Sequence, residues 1–394
     1  MVDPAERRFL IVAGEASGDV HAARLVRAAS AAGPVRFRGA GGPSMRAAGV
    51  ETVVDMTELN VIGFSAVLRR LPQLLAALRR LREQAESFRP HAAVLVDSPG
   101  FNFRLGPGLR RAGIPVLYYV APQVWAWHPE RAREMAAWVN RLAVVFPFEE
   151  ALFGDAGVPT TFVGHPLLEE LEPEASEAVF RAELGLAAET PLLGLLPGSR
   201  AQEVRSLLPA LVGAAGRLCA SRPDLVPVLP LAPGLGVGAL AHASGGRLEH
   251  GPGGSLRLIT AGAVVRVVRE RTRCVMAYAR ACAVASGTAT LETALFATPL
   301  VVVYRVGAVN YWIARRVVTL ERIGLPNIVA GEAVAPECVQ HDCTPERIAA
   351  ALAPWLDDDG ARAAASDALR GVRRRLGEAG ASRRVAALLR DLAP

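Results

Sequence analysis

Short apolar runs alternate with longer amphipathic runs along the first part of this chain. The apolar runs predict strands and the amphipathic runs predict helices, in the order strand 9–13, helix 18–30, strand 92–96, helix 105–112, strand 116–120, helix 129–139. Buried strands that alternate with helices are typical of a parallel, doubly wound sheet. We therefore expect a Rossmann-like domain here.

A second series of apolar runs follows a proline-bearing stretch and an acidic segment, at 192–196, 226–231, 282–285 and 300–304. The sequence thus predicts an α/β fold with two Rossmann-like domains, 1–170 and 171–345. Residues 346–394 are mostly helical in pattern and could pack back on the first domain. The Gly- and Ala-rich stretch 233–254 is interpreted as a surface loop.

Composition fits this two-domain picture. A chain of 394 residues is too long for one ordinary core, and 51% hydrophobic residues can fill two. The formal charge of +6 comes from arginine alone, since no lysine occurs. Arginine could reflect genome composition or attraction to anionic lipid or phosphate. No basic block is long enough to indicate nucleic acid.

Several classes of protein are disfavoured. The five cysteines form no CxxC pair and their odd number argues against a disulfide framework. No apolar stretch reaches the length of a membrane span, and the N-terminus has no export signal pattern. No metal-binding motif occurs, so we expect no metal and no other cofactor.

The clearest candidate site is the turn Ser286-Gly287-Thr288-Ala289, which links a predicted strand to a helix. Small residues at a helix N-terminus leave backbone N–H groups free to hold phosphate. Glu292, within the first two helical turns, is expected to reach a sugar hydroxyl beside that phosphate. The pair indicates a nucleotide.

A second turn, 197–203, also links a strand to a helix. Arg200 is placed there to neutralise a diphosphate, although a plain surface arginine is the alternative. The segments 164–166 and 325–327 could be structural or functional.

The first half of the chain carries two acidic candidates at predicted strand ends. Glu15 is either a ligand contact or a partner of a helix dipole, and Ser17 and Asp19 could contact ligand or cap the helix. Asp97 is either a catalytic carboxylate or a loop cap. The run 125–128, Trp-Ala-Trp-His, suggests an amphipathic platform for a sugar ring or acyl chain.

The segment Val61–Leu75 combines apolar residues with arginines, and further arginines follow at 79, 80 and 82. A core helix is the ordinary explanation of such a pattern. A helix lying on an anionic membrane surface is the other.

Seven ordered motifs then carry a resemblance that covers nearly the whole chain: AGEASGDVHAARLVRA, DSPGFNFRL, YYVAPQVWAWHPERA, FVGHPL, LLPGSRAQEV, SGTATLE and GLPNIVAGE. Together they resemble the lipid-A-disaccharide synthase family. The resemblance implies a GT-B-like glycosyltransferase with its active site in the cleft between two Rossmann-like domains. It also implies work at the inner face of the cytoplasmic membrane.

The reaction that the resemblance implies joins UDP-2,3-diacylglucosamine to 2,3-diacylglucosamine 1-phosphate and releases UDP. Asp97 is expected to be the general base on the acceptor 6-hydroxyl, with Glu15 near the reacting sugar. A single displacement with inversion, without metal, is implied. The expected nucleotide contacts are Ser199, Arg200, Glu203, Gly287, Thr288, Ala289, Glu292 and Asn327.

Two other functions stay open from the sequence. One is a different UDP-sugar enzyme of this fold, such as a peptidoglycan glycosyltransferase or an epimerase. The other is a non-catalytic UDP-binding protein that docks on membranes. A homodimer is also allowed, since Tyr311-Trp312-Ile313 fits an interface or a core equally.

Overall fold

The structure is a computed structural model that describes residues 6–56, 64–127, 130–169, 171–251, 255–307 and 322–393, with the side chains of 64–70, 126 and 127 left out. Three features expected from the sequence therefore lie wholly or partly outside the described residues: the start of the 61–75 segment, His128, and the 311–313 segment. The chain divides into two compact units. Unit 1 comprises Met1–Glu169 and Leu376–Pro394, and unit 2 comprises Glu170–Arg375.

Unit 1 contains a parallel sheet with helices on both faces. Its strands are β1 Arg7–Ala13, β2 Val35–Gly41, β3 Glu51–Asp55, β4 Ala92–Val96, β5 Val116–Tyr119, β6 Arg141–Val144 and β7 Thr160–Phe162. Its helices before residue 169 are α1 Ala16–Ala31, α2 Pro43–Ala47, α3 Phe64–Phe88, α4 Pro99–Arg111, α5 Val124–Trp127, α6 Glu130–Ala136 and α7 Pro147–Asp155, followed by a short 3₁₀ turn at Pro166–Glu169.

The strands of unit 1 lie in the order β3-β2-β1-β4-β5-β6-β7, and every neighbouring pair is parallel. Strand β4 shows why the apolar runs become inner strands, because all five of its residues are completely buried. A strand covered on both faces has no solvent side and so lacks polar alternation. The carboxyl ends of all seven strands meet at one edge of the sheet.

Unit 2 is built in the same way with an added antiparallel end. Its strands are β8 Leu192–Leu196, β9 Val226–Leu231, β10 Arg247–His250, β11 Leu256–Ile259, β12 Val264–Arg269, β13 Ala281–Ala285, β14 Leu300–Tyr304 and β15 Glu337–Val339. Its helices are α8 Glu177–Leu184, α9 Ala201–Ser221, α10 Val237–Ser244, α11 Thr272–Tyr278, α12 Thr288–Leu295, α13 Leu325–Ala330, α14 Pro345–Asp357 and α15 Asp359–Arg375.

The second sheet has the order β10-β11-β12-β9-β8-β13-β14-β15. Only β10, β11 and β12 pair antiparallel among its described strands, and the remaining pairs are parallel. The interpretation of 233–254 as a surface loop is wrong within the described residues. The stretch contains α10, whose Leu240 is buried in the core, and β10. Its many glycines weaken the apolar pattern without preventing either element.

The C-terminal segment 346–394 is divided between the units. Helices α14 and α15 lie in unit 2, whereas α16 (Ala381–Leu392) lies in unit 1 and packs against α1, β4 and β5. Glu169 fixes the start of α16, because its carboxylate accepts hydrogen bonds from the Ser382 N–H and hydroxyl, each at 2.8 Å. A carboxylate at a helix N-terminus satisfies donors that the helix itself leaves unpaired.

Candidate functional site

Each sheet has one point at which the strand order reverses. In unit 1 the chain runs from β1 outward to β2 and β3, then returns to β4 on the other side of β1. In unit 2 it runs from β8 to β9, and later returns to β13 on the other side of β8. Open α/β sheets bind ligands outside the carboxyl ends of the strands at such points. The loops after β1, β4, β8 and β13 are therefore the places to look for chemistry.

In unit 2, the loops after β8 and β13 line a cavity of about 420 Å³. It brings together seven of the eight residues expected to contact nucleotide: Ser199, Arg200, Glu203, Gly287, Thr288, Ala289 and Glu292. Residues from the end of β9 and from α11 complete the wall, among them Pro230, Ala232, Thr272 and Met276. The sequence did not indicate these four, which are small or apolar.

The N-terminus of α12 opens into this cavity. Gly287 precedes the helix with φ 139°, a conformation that glycine adopts without steric cost. Within the described part of the chain, the backbone N–H groups of Gly287, Thr288 and Ala289 have no acceptor. Unpaired N–H groups at a helix start carry partial positive charge and bind phosphate. The N-terminus of α12 is thus a candidate anion site.

The neighbouring helix start is occupied instead. At the N-terminus of α11, the Glu174 carboxylate accepts hydrogen bonds from the N–H groups of Arg273 at 3.0 Å and Cys274 at 2.9 Å. These bonds hold the pKa of Glu174 below its usual range, against the opposing effect of burial. The contrast shows that the free donors of α12 are not a general property of helix ends in this unit.

Arg200 and Glu203 are linked by hydrogen bonds at the start of α9. The Glu203 carboxylate accepts bonds from the N–H groups of Ser199 at 3.1 Å and Arg200 at 3.2 Å, and it pairs with the Arg200 guanidinium at 3.0 Å. Gly198, which precedes them, has φ 102°, a conformation that favours glycine, and a Cβ there would also lie 2.3 Å from the present position of this carboxylate. Glu203 therefore holds the turn and orients Arg200, whose side chain is 60% exposed and reachable by an anion.

Glu292 lies in the same cavity with its carboxyl group mostly out of water. Burial raises the pKa of Glu292 above its ordinary value, and the Arg273 guanidinium, 3.5 Å away, opposes that rise. Arg273 was not predicted from the sequence, because no local sequence pattern indicates that α11 packs beside α12. A partly desolvated carboxylate is a good acceptor for a ligand hydroxyl.

Asn327 does not line this cavity. Its side chain is buried, its Nδ2 donates to the carbonyl of Ala335 and to Glu337, and its Oδ1 accepts from the N–H groups of Val334 and Ala335. Every hydrogen-bonding position of the carboxamide is engaged inside unit 2. The expected direct contact between Asn327 and nucleotide is therefore not supported by its placement, and the residue shapes the loop after α13.

In unit 1, Glu15 and Asp97 follow the two strands at the reversal point, β1 and β4. Burial, joined by the negative charge of Glu15, raises the pKa of Asp97 to about 6, against a smaller lowering by the Ser98 backbone N–H. Glu15 is exposed and makes no side-chain cap for α1. A carboxyl group with a pKa near 6 is suited to accept a proton at neutral pH.

The backbone at Asp97 is strained. Asp97 has φ 48° and Ser98 has φ 46°, so two successive non-glycine residues occupy the left-handed region. Such a conformation costs about 1–3 kcal/mol for each residue and is concentrated at functional sites. This strain could not be inferred from the DSPGFN motif alone.

Two other candidate side chains from the first half, Asp19 and Trp125, make hydrogen bonds inside unit 1. The Asp19 carboxylate is buried and accepts from the N–H groups of Gly42, Ser44 and Met45, so it caps α2 and does not face a ligand. Trp125 donates its indole N–H to Glu149 at 3.1 Å, and burial raises the pKa of Glu149 to about 7.

The two doubly wound sheets define the class of this protein. Solved structures with the same fold include the kitacinnamycin glycosyltransferase, 17% identical with a TM-score of 0.63 over 100% of both chains. They also include the UDP-GlcNAc 2-epimerase from Neisseria meningitidis, 9% identical with a TM-score of 0.65 over 98% of this chain and 100% of that one. The fold is that of the two-domain GT-B enzymes.

The profile of the lipid-A-disaccharide synthetase family matches residues 9–238 and 256–389. Lipid-A-disaccharide synthases from Anaeromyxobacter sp. (strain K), Myxococcus xanthus and Geobacter sulfurreducens are 43%, 41% and 40% identical over 96%, 98% and 100% of this chain, and over 96%, 98% and 99% of their own lengths. The chain belongs to the lipid-A-disaccharide synthetase family and is a glycosyltransferase of lipid A biosynthesis.

Proposed function

We propose that this protein transfers 2,3-diacylglucosamine from its UDP donor to the 6-hydroxyl of 2,3-diacylglucosamine 1-phosphate, which yields a β-1,6-linked disaccharide 1-phosphate and UDP. The observation that carries the proposal is the anion site in unit 2, where the open N-terminus of α12 and the exposed guanidinium of Arg200 line one cavity. In a chain of this family, a diphosphate of UDP is the ligand that such a site fits.

In this proposal, unit 2 holds the donor through its UDP part. The N–H groups of Gly287, Thr288 and Ala289 donate hydrogen bonds to phosphate oxygens, and the Arg200 guanidinium stabilises the negative charge that develops on the leaving diphosphate. Glu292 accepts a hydrogen bond from a hydroxyl of the nucleotide sugar. Glu203 keeps Arg200 in place through the bonds described above. Fixed donors of this kind stabilise a leaving group without protonating it.

Asp97 in unit 1 acts as the general base. It removes the proton from the acceptor 6-hydroxyl while that oxygen forms a bond to C1 of the donor sugar, and the bond between C1 and the diphosphate oxygen breaks. UDP leaves with the electron pair, so a single displacement inverts the configuration at C1. The negative charge of Glu15 helps to raise the pKa of Asp97, which makes Asp97 a stronger base.

We further propose that the enzyme works without a bound metal, because Arg200 and the α12 N-terminus supply the positive charge that the leaving group needs. The site of action is the inner face of the cytoplasmic membrane. No helix among the described residues is long and apolar enough to cross a bilayer. Leu71 and Leu75 of α3 are 42% and 55% exposed and are followed by exposed arginines at 79, 80 and 82. That combination supports peripheral contact with anionic lipid.

The test is to incubate the purified protein with both diacylated sugars and to follow UDP and disaccharide by mass spectrometry. Equimolar UDP and disaccharide support the proposal. A changed UDP-sugar without disaccharide indicates an epimerase, and UDP binding without turnover indicates a binding protein. Either result overturns the proposal.

Two matched pairs of variants assign the roles. Arg200→Ala is expected to weaken UDP binding, whereas Arg205→Ala, an exposed arginine of α9 that does not line the cavity, is expected to leave it unchanged. Asp97→Asn is expected to abolish turnover and retain UDP binding, whereas Asp155→Asn at the exposed end of α7 is expected to retain both. Loss of UDP binding in Asp97→Asn would contradict its assigned role.

A further inference from the structure

The left-handed turn at Asp97 and Ser98 is held by two buried side chains. The backbone carbonyl of Asp97 accepts a hydrogen bond from Asn102 Nδ2 at 2.7 Å and another from the Tyr118 hydroxyl at 2.5 Å. Asn102 also donates to the carbonyl of Val96 at 3.3 Å. Both Asn102 and Tyr118 are completely buried. A strained backbone persists only where its surroundings determine it, and these bonds do so.

The loop that follows β1 also restricts the position of the turn. A Cβ built on Gly14 would lie 2.3 Å from Ser98 Oγ, so the loop after β1 packs directly on the turn. Glu15 is the next residue in that loop, and its charge acts on Asp97. Glu15 of the first loop raises the pKa of Asp97 through its charge, and the Ser98 backbone N–H lowers it through a hydrogen bond. Tyr118 of β5 lies close enough that the charge of Asp97, together with burial, raises the pKa of the Tyr118 hydroxyl.

Neither buried side chain needs to touch substrate to affect the reaction. Asn102 lies on α4 and Tyr118 on β5, so the Asp97 carbonyl is tied both to the helix that follows it and to the strand beside it. The Asp97 N–H is bound as well, to the carbonyl of Tyr119 at 2.9 Å. The peptide groups on both sides of the Asp97 α-carbon are thus fixed, which restricts the direction of its carboxyl group.

We propose that Asn102 and Tyr118 are positioning residues for glycosyl transfer, which clamp the Asp97 carbonyl so that the carboxyl group stays half-buried beside Glu15. This inference rests on the proposed function, because it assumes that Asp97 is the base. When the clamp is released, the turn relaxes toward a less strained conformation and the carboxyl group moves into water. The base is then both misplaced and more acidic.

The first test is Tyr118→Phe, which removes one oxygen atom and keeps the ring packing. Misplacement of a reacting group by about 1 Å can cost about 100-fold in rate, so we expect kcat to fall by about 10- to 100-fold. The KM for the UDP donor, which unit 2 binds, is expected to stay within about twofold of wild type. The acidic limb of the pH–rate profile is expected to move to lower pH, because the more solvated Asp97 has a lower pKa.

Tyr119→Phe is the matched control. Tyr119 is the next residue of β5, is equally buried, and points to the opposite face of the sheet, where Glu169 and Ser382 act on it. Its kcat and its pH profile are expected to match wild type. A loss of stability alone would lower the amount of active enzyme in either variant, but it would not move the acidic limb.

Asn102→Ala tests the second bond of the clamp, with Asn140→Ala as its control. Asn140 also binds a backbone group, the N–H of Val116 at 3.0 Å, but at the amino end of β5 and away from Asp97. Asn102→Ala is expected to lower kcat and move the acidic limb in the same direction as Tyr118→Phe. Asn140→Ala is expected to leave the limb in place.

Measurement of Asp97→Asn beside these variants separates two kinds of failure. If Asp97→Asn is inactive while Tyr118→Phe has wild-type kcat and an unmoved acidic limb, the clamp is wrong and the proposed function stands. If Asp97→Asn keeps full activity, Asp97 is not the base and the proposed mechanism fails. If Tyr119→Phe loses as much activity as Tyr118→Phe, the effect belongs to the sheet in general and the clamp is again wrong.

Discussion

Replacement of Asp97 by asparagine is expected to make the protein more stable while it abolishes turnover. Asparagine has nearly the same size as aspartate and tolerates the left-handed backbone at φ 48°, so the turn need not change. What changes is the charge. The folded protein raises the pKa of Asp97 from 3.8 to about 6, chiefly through burial, which means that the folded state disfavours the ionised carboxylate.

The size of the effect follows from that shift. Because the folded pKa lies above the unfolded one, the contribution of Asp97 to the free energy of unfolding falls as pH rises from 3.8 to about 6 and then stays at the lower level. A shift of about two pKa units corresponds to about 3 kcal/mol at pH 7.5, and to about half of that at pH 5. Asparagine accepts the Ser98 N–H bond less strongly, so we expect a net gain of about 1–3 kcal/mol at pH 7.5.

Denaturant unfolding of wild type and Asp97→Asn at pH 7.5 and pH 5 measures this difference. The gain should shrink by roughly half between the two pH values. Asp19→Asn is the contrasting variant, since its carboxylate accepts three backbone N–H bonds and the change should destabilise the protein. An Asp97→Asn protein that is less stable than wild type at pH 7.5, or a gain that does not vary with pH, would refute the burial argument.

Three further outcomes are expected. With Asp97 as the base, kcat/KM should decline as pH falls through about 6, because protonated Asp97 cannot accept the hydroxyl proton; a profile that is flat from pH 5 to 8 would exclude this role. Gly14→Ala should lower kcat, because the new Cβ would lie 2.3 Å from the present position of Ser98 Oγ and would push the Ser98 side chain away. Gly113→Ala is the control, since it lies in a loop with open space around it and should retain kcat despite its strained φ. Dialysis against a chelator should leave the initial rate unchanged if Arg200 and the α12 N-terminus alone screen the leaving diphosphate, and restoration of a lost rate by Mg²⁺ would contradict that proposal.

The inner strands were predictable from sequence because burial on both faces leaves a simple signal. The run Ala92–Val96 is uniformly apolar, and the strand has those same bounds. Strand β2, by contrast, has arginines at 36 and 38, because it lies nearer the edge and exposes part of one face. Its pattern does not stand out from that of a polar loop. Strand β10, Arg247–His250, is mostly exposed and gives even less signal.

The candidate site divides in the same way. Turn residues such as Gly287 and Arg200 could be predicted, because a strand followed by a small-residue turn and a helix carries its own local signature. Contacts between segments that are distant in the sequence could not be predicted. Arg273 reaches Glu292 only because α11 packs beside α12, and the bond from Tyr118 to Asp97 spans 21 residues. The engagement of Asn327 by Ala335 and Glu337 likewise depends on how its loop folds back.

The return of the last helix to unit 1 has a consequence for synthesis of the protein. Helix α16 packs on α1, β4 and β5. The Glu169 carboxylate, which accepts a hydrogen bond from the Ser382 N–H at the start of α16, is made more than 200 residues earlier. On the ribosome, the first-made part of unit 1 must therefore wait with an uncovered apolar face until residues 381–392 have been made. Unit 2 is contiguous in sequence, from Glu170 to Arg375, and can complete its core sooner. The face of unit 1 that α16 covers is therefore completed after unit 2 has been made, although the rest of unit 1 emerges first.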